Sequence, residues 1–160
     1  MRHGTGRHGA GDGWTRCSRG HRHWGRHGAA GLLLHVVDDA GDTWVLLQHR
    51  AWWSHHGGTW GLPGGARLSA TESPEQAALR ETSEEIRVDL GGVALGGTHA
   101  DDHGGWAYTT VLARLGECRS VAPAADETLD AQWVPAINVD TLPLHPGFAA
   151  AWPSLQDRLR

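Results

Sequence analysis

The sequence predicts an α/β domain in which a β-sheet is sandwiched between helices. Short apolar runs bounded by turn residues recur along the chain, a capped amphipathic helix interrupts them near the middle, and a second helical stretch lies near the C-terminus. A length of 160 residues suits one domain, which buries roughly two-thirds of the surface exposed by its unfolded chain.

Residues 1–27, MRHGTGRHGAGDGWTRCSRGHRHWGRH, are low-complexity Gly/Arg/His with almost no aliphatic residue. They are expected to form a disordered or loosely docked tail, because they bury too little apolar area to offset chain entropy. The five histidines there (His3, His8, His21, His23, His27) are able to bind a transition metal, although biased composition is the simpler reading. Order is expected from residue 28. GLLLHVV (31–37) and TWVLLQHR (43–50), separated by DDAGD, read as two strands joined by a turn.

Ser73 is a natural helix N-cap, Pro74 fits the first helical position, and Gln76 completes a capping box. On a helical wheel Ala78, Leu79, Thr82 and Ile86 form one apolar stripe. Further strands are expected at Val93–Thr98, Trp106–Leu115 and Leu129–Val134. A final helix over 147–159 is disturbed by Pro153.

Composition narrows the function classes. All 14 basic residues are Arg, and six of them lie in residues 1–27 against one acid, Asp12. The remainder holds eight Arg against 17 acids, an acidic body that disfavours non-specific nucleic-acid binding. Two cysteines, Cys17 and Cys118, make no disulfide framework, and no apolar run approaches a membrane span. These features predict a soluble cytoplasmic protein with no membrane and no specific nucleic-acid partner.

The central helix carries a conflict. Glu81, Glu84 and Glu85 fall within about 100° of arc beside the apolar stripe. Each like-charge pair costs roughly 0.2–0.5 kcal/mol when exposed, and more when desolvated. Spacing alone leaves two readings open, a solvated acidic face or a site for a hard divalent cation.

The surroundings separate them. The pattern Gly65…Glu72…Arg80-Glu81…Glu84-Glu85 resembles the Nudix box, and WGLPGG before it and WVP (133–135) after it resemble segments of that family. The resemblance covers about residues 28–140. It departs in three places: the loop from Gly65 to Glu72 is one residue longer, Thr82 occupies an aliphatic position, and Arg87 replaces the glycine that ends the helix.

The resemblance implies a Nudix-type α/β/α sandwich with a mixed sheet over residues 28–160. It also implies a Mg²⁺- or Mn²⁺-dependent hydrolase cleaving the phosphoanhydride of a nucleoside diphosphate linked to another moiety. Glu81, Glu84 and Glu85 would be metal ligands, with the carbonyl of Gly64, and Arg80 would hold the carboxylates in place. Glu127 is the preferred extra acid from a later loop; Asp126, Asp101 and Asp102 are the alternatives. Arg50 is a candidate for substrate phosphate, and Trp60 and Tyr108 are candidates for the base, with Trp52, Trp53 and Trp106 also available. His55, His56 and His103 read as loop residues more than catalysts. A nucleoside triphosphate or oxidised-nucleotide pyrophosphohydrolase is favoured. A binding module without catalysis, or an ADP-ribose or nucleotide-sugar pyrophosphatase, is the alternative.

Overall fold

The computed structural model describes residues 10–159. The first two strands, β1 (Trp14–Arg16) and β2 (Arg22–Trp24), form an antiparallel hairpin. The expectation of a structureless tail is therefore corrected for residues 10–27; residues 1–9, with His3 and His8, lie outside the described residues. Counting aliphatic side chains missed the packing here, because rings supply it. Trp14 meets Trp24 edge-to-face at 5.4 Å, and the Arg22 guanidinium lies 4.8 Å above the Trp14 ring. His23 stacks on Trp106 at 4.0 Å, whose indole N–H donates to the Gly25 carbonyl.

β3 (Ala29–Val37) is the central strand, buried along almost its whole length. Its apolar run has side chains pointing alternately to the two faces, and both faces are covered. β4 (Thr43–Arg50) returns antiparallel beside it, as the two apolar runs predict. The short strands β5 (Trp60–Gly61) and β6 (Gly64–Ala66) pair with β4 and β3. α1 (Pro74–Glu85) follows, then β7 (Ile86–Arg87), β8 (Ala94–Asp102) and β9 (Ala107–Arg114). The chain continues through β10 (Ala122–Pro123) and β11 (Thr128–Pro135), a 3-10 turn at Ala136–Thr141, and α2 (Pro146–Gln156). The main sheet runs β11-β4-β3-β9-β8, with β3 and β9 parallel and the other pairs antiparallel.

Each face of the sheet has its own core. Leu32, Leu34, Val36 and Leu46 pack with Ala77, Ala78 and Ile86 on the α1 side. Leu33, Val45 and Leu47 pack with Phe148, Trp152 and Leu155 on the α2 side. The α/β/α sandwich follows from this division.

The predicted cap of α1 is present. Ser73 Oγ accepts from the Gln76 amide at 3.1 Å, and Gln76 Oε1 accepts from the Ser73 amide at 2.9 Å. The departures at Thr82 and Arg87 have physical explanations. Thr82 is fully buried, and its hydroxyl donates to the Ala78 carbonyl at 2.7 Å, so no polar group is stranded. Ile86 leaves the helix directly into extended backbone (φ −132°, ψ 132°), and Arg87 pairs with Ala122. No left-handed residue is used at this helix end, so no glycine is needed.

β8 continues past the expected Thr98 to Asp102. Its residues are almost all exposed and include Gly96 and Gly97, so period and propensity give little strand signal. The chain reverses through His103 to Trp106, where the His103 amide donates to the Trp106 carbonyl at 2.8 Å.

Candidate active site

The last turn of α1 faces the Gly64-Gly65 segment, the end of β4 and the loop before β11. The helix end joins that loop directly: the Ala124 amide donates to the Glu85 carbonyl at 2.9 Å. The loop joins β4 in turn, through the Ala51 amide on the Glu127 carbonyl at 2.9 Å.

Arg80 is the organiser. Its Nε and Nη2 donate to the two oxygens of Glu72 at 2.9 and 3.0 Å, a bidentate pair. Nη1 donates to Glu81 at 2.9 Å and reaches Glu84 at 3.4 Å, and Nη2 also donates to the Ala66 carbonyl at 3.0 Å. These bonds hold the Glu72 carboxyl below its usual range. The longer loop before Glu72 is gathered by Arg67, which donates to the carbonyls of Glu72, Ala70 and His27. The extra residue therefore leaves the Glu72–Arg80 pair intact.

The three helix carboxylates differ. Glu84 is 57% exposed and Glu81 17% exposed at the side chain. Burial raises the Glu81 pKa against the pull of Arg80, and the charges of Glu84 and Asp12 raise it further. Glu85 turns away from Arg80. Its Oε2 accepts from Gln48 Nε2 at 2.8 Å and from the Gly64 amide at 3.2 Å. Burial, with the neighbouring Glu81 charge, pushes Glu85 up to about 8 despite those bonds. Gly65 makes this packing possible, because a Cβ there would sit 2.6 Å from the Glu81 carboxyl carbon. Gly65→Ala is expected to displace Glu81 and lower turnover about a hundredfold while the protein still folds, checked by steady-state kinetics beside a thermal melt.

Glu127 reaches this region: one cleft is lined by Gln48, Arg50, Ser54, Glu85, Ala125, Glu127 and Thr128. Asp101 and Asp102 are instead engaged in the β8–β9 turn, Asp101 with His103 at 3.0 Å and Asp102 accepting from the Gly104 amide. Asp126 is flanked by two lining residues and does not itself line the cleft. Arg50 lies in the cleft, with Nε and Nη2 donating to the His55 carbonyl at 3.1 and 2.9 Å. That contact orients the guanidinium and shapes the 51–58 loop.

Tyr108 packs against Gly31, where any Cβ would collide with its hydroxyl. Burial and the nearby Glu85 charge raise its pKa. Trp60 stacks on His49 at 4.6 Å and packs against the α2-side core. Trp106 is occupied by His23 and the Gly25 carbonyl, whereas Trp52 and Trp53 are 72% and 68% exposed on the loop beyond Arg50.

Two residues escaped the sequence reading. Asp12, the single acid of the basic N-terminal stretch, lies close enough to raise Glu81; its sign among six arginines was the available signal. His145 caps α2 and is pushed down to about 4 by burial, with Arg50, His56 and His55 adding, so it stays neutral beside His56. No periodicity pointed to it.

The donor set around Glu81, Glu84 and Glu85 is all oxygen, with two of the carboxylates raised by burial and with Arg80 already committed to Glu72. A hard divalent cation satisfies such a set. The NUDIX domain profile matches residues 25–156. The chain belongs to the Nudix family.

Relatives agree with that membership. A Mycobacterium tuberculosis protein named "Putative 8-oxo-dGTP diphosphatase 3" is 49% identical over 156 residues, covering 92% of this chain and 70% of its own length. The 8-oxo-dGTP diphosphatase of Proteus vulgaris is 47% identical over 76 residues, 48% of this chain and 62% of its own. Among solved structures, RenU, a Nudix hydrolase from Mycobacterium smegmatis, superposes with a TM-score of 0.86 at 45% identity, covering 92% of this chain and 94% of that one. The protein is a Nudix hydrolase, in a family that generally requires divalent metal. No helix of the described residues is long and apolar enough to cross a membrane.

Proposed function

We propose that this Nudix enzyme is a nucleoside triphosphate pyrophosphohydrolase that acts on oxidised purine nucleotides, with 8-oxo-dGTP as the first substrate to test. The observation that carries the site reading is the shared cleft: Glu85 from the helix, Glu127 from the later loop and Arg50 from β4 line one space. The relatives named for 8-oxo-dGTP support the substrate class. All three box carboxylates being present favours catalysis over a binding module. Two free cysteines accord with a cytoplasmic setting.

Glu81, Glu84 and Glu85, with the Gly64 carbonyl, are the residues that would hold Mg²⁺ or Mn²⁺. When bound, the cation neutralises phosphate charge and acidifies a water. The chain's own residues do the rest. Arg80 fixes Glu81 and Glu84 through one nitrogen, and Gln48 and the Gly64 amide fix Glu85. Glu127, which lines the same cleft as Glu85, accepts the proton of the attacking water. Arg50 offers its remaining N–H donors to substrate phosphate. Water adds to phosphorus, the bridging oxygen leaves, and a nucleoside triphosphate yields a monophosphate and pyrophosphate. Trp52 and Trp53 present exposed rings for the base, whereas Tyr108 and Trp60 are packed into the fold.

The test is a panel of nucleoside triphosphates, 8-oxo-dGTP, ADP-ribose and dinucleoside polyphosphates, with Mg²⁺ or Mn²⁺ and with chelator, beside Glu84→Gln. Metal-dependent release of pyrophosphate from 8-oxo-dGTP, lost in the variant, is the expected result. Turnover of ADP-ribose alone would overturn the substrate class. Equal activity of Glu84→Gln would overturn the role given to Glu84.

A further inference from the structure

A second constellation lies away from the glutamates and is made of different chemistry. Cys17, just after β1, His23, in β2, and His103, in the β8–β9 turn, each bring one ligand atom to within 4.8 Å of the others. The thiol is buried, with Cys17 5% exposed. His23 Nε2 and His103 Nδ1 are both shielded from solvent and have no hydrogen-bond partner within the described residues. An unsatisfied buried nitrogen is expensive, and two of them beside one buried sulfur need a common explanation.

The surroundings orient these atoms. His103 Nε2 lies 3.0 Å from Asp101 Oδ2, which fixes that nitrogen as the N–H and leaves the Nδ1 lone pair facing Cys17 and His23. A carboxylate behind an imidazole in this way is the usual support of a metal-bound histidine. His23 is clamped flat against Trp106 at 4.0 Å, and its ring centroid lies 4.7 Å from that of His103. A turn presents Cys17, whose amide donates to the His21 carbonyl at 3.0 Å and whose carbonyl accepts from the Gly20 amide at 2.9 Å. The two loops are stitched together by the Ser18 amide on the Gly104 carbonyl at 2.7 Å.

We infer that Cys17, His23 and His103 form a binding site for a thiophilic transition metal, Zn²⁺ by its donor set, which pins the N-terminal hairpin to the β8–β9 turn. One thiolate and two imidazoles suit tetrahedral Zn²⁺ and not Mg²⁺. A fourth position is left for water or a further donor. On binding, the Cys17 thiol gives up one proton to solvent and no redox change occurs. The metal joins residues 80 positions apart, from His23 to His103, and so holds the segment that carries Asp12 near Glu81. The site is structural and independent of the substrate assigned above.

The test uses the full-length protein, stripped with chelator and refilled with Zn²⁺ alone or Co²⁺ alone under excess Mg²⁺, which keeps the oxygen site supplied. Wild type is expected to take one equivalent. Its Co²⁺ form should show a thiolate-to-metal charge-transfer band and strong tetrahedral d–d bands. Zn²⁺ at a hundredfold above its Kd should raise Tm by about 5–10 °C. Cys118→Ser and Glu85→Gln should keep both signals; Cys17→Ser should lose the charge-transfer band, and His103→Gln should lose the Tm response. A wild type without the band, or a Cys17→Ser variant that retains it, overturns the site. Loss of the signals in Glu85→Gln would place the ion among the glutamates and overturn the site equally. If the substituted variants fail to fold, the bands of wild type and Cys118→Ser decide alone.

Discussion

Glu85→Gln is expected to lower turnover by about 10²–10⁴-fold at saturating Mg²⁺ while raising the melting temperature of the metal-free protein. The two effects come from one cause. Glu85 is a carboxyl pushed up to about 8 by burial and by the Glu81 charge beside it. Between its ordinary value of 4.5 and about 8 the unfolded chain has released this proton and the native chain still holds it. Stability without metal therefore falls as pH rises through that window, because the native state binds the extra proton. Glutamine keeps the shape, still accepts from Gln48 and the Gly64 amide, and never ionises. The gain in Tm should accordingly be several degrees at pH 8 and vanish near pH 4, measured by melts in chelator. A variant that loses activity without that pH-dependent gain would show that Glu85 is not held under electrostatic stress.

Arg80→Ala is expected to be the most damaging change to stability, about 2–4 kcal/mol by denaturant unfolding. The substitution strands Glu72, 12% exposed at the side chain, and Glu81, 17% exposed, and leaves the Ala66 carbonyl without its donor. Glu72 is held below its usual range by Arg80, so the pair's contribution is present above the ordinary carboxylate value. It is lost as pH falls through Glu72's depressed value, and the gap between variant and wild type should narrow with it. Arg80→Lys should recover only part of the loss, because an ammonium cannot make the bidentate contact and reach Glu81 together. Full recovery by lysine would mean that charge alone matters at this position.

Much of this molecule is legible in the sequence where one local signal suffices. The capping box places the start of α1, and alternation with flanking turns places β4. The spacing of Arg80, Glu81, Glu84 and Glu85 marks the carboxylate face of the helix before any fold is known. Arg87 and Thr82 looked like defects only because the helix end and the hydroxyl's partner are tertiary facts. Other features depend on long-range contacts. The N-terminal hairpin is held by rings, Trp14 on Trp24 within it and His23 on Trp106 about 80 residues away, so a count of aliphatic residues could not see it. Asp101 and Asp102 read as alternatives for the extra acid, yet at the end of β8 they bond to His103 and to the Gly104 amide. Which candidate ring is open to solvent depends on what stacks on it: His49 covers Trp60 and His23 covers Trp106, leaving Trp52 and Trp53 the most exposed.

The parallel pairing of β3 with β9 has a bearing on how the chain is made. β4 and then β6 pair along one edge of β3, at His35–Val37 and Ala29–Gly31, but β9 begins about seventy residues after β3 ends. At a synthesis rate of about 5–20 residues per second, the other edge of the most apolar strand stays open for several seconds on the ribosome. α1 emerges in that interval and can shield one face, yet the second hydrogen-bonding edge waits for residues 107–114. The nascent chain should therefore be a chaperone client in this interval, and stalling translation before residue 107 should favour aggregation over folding.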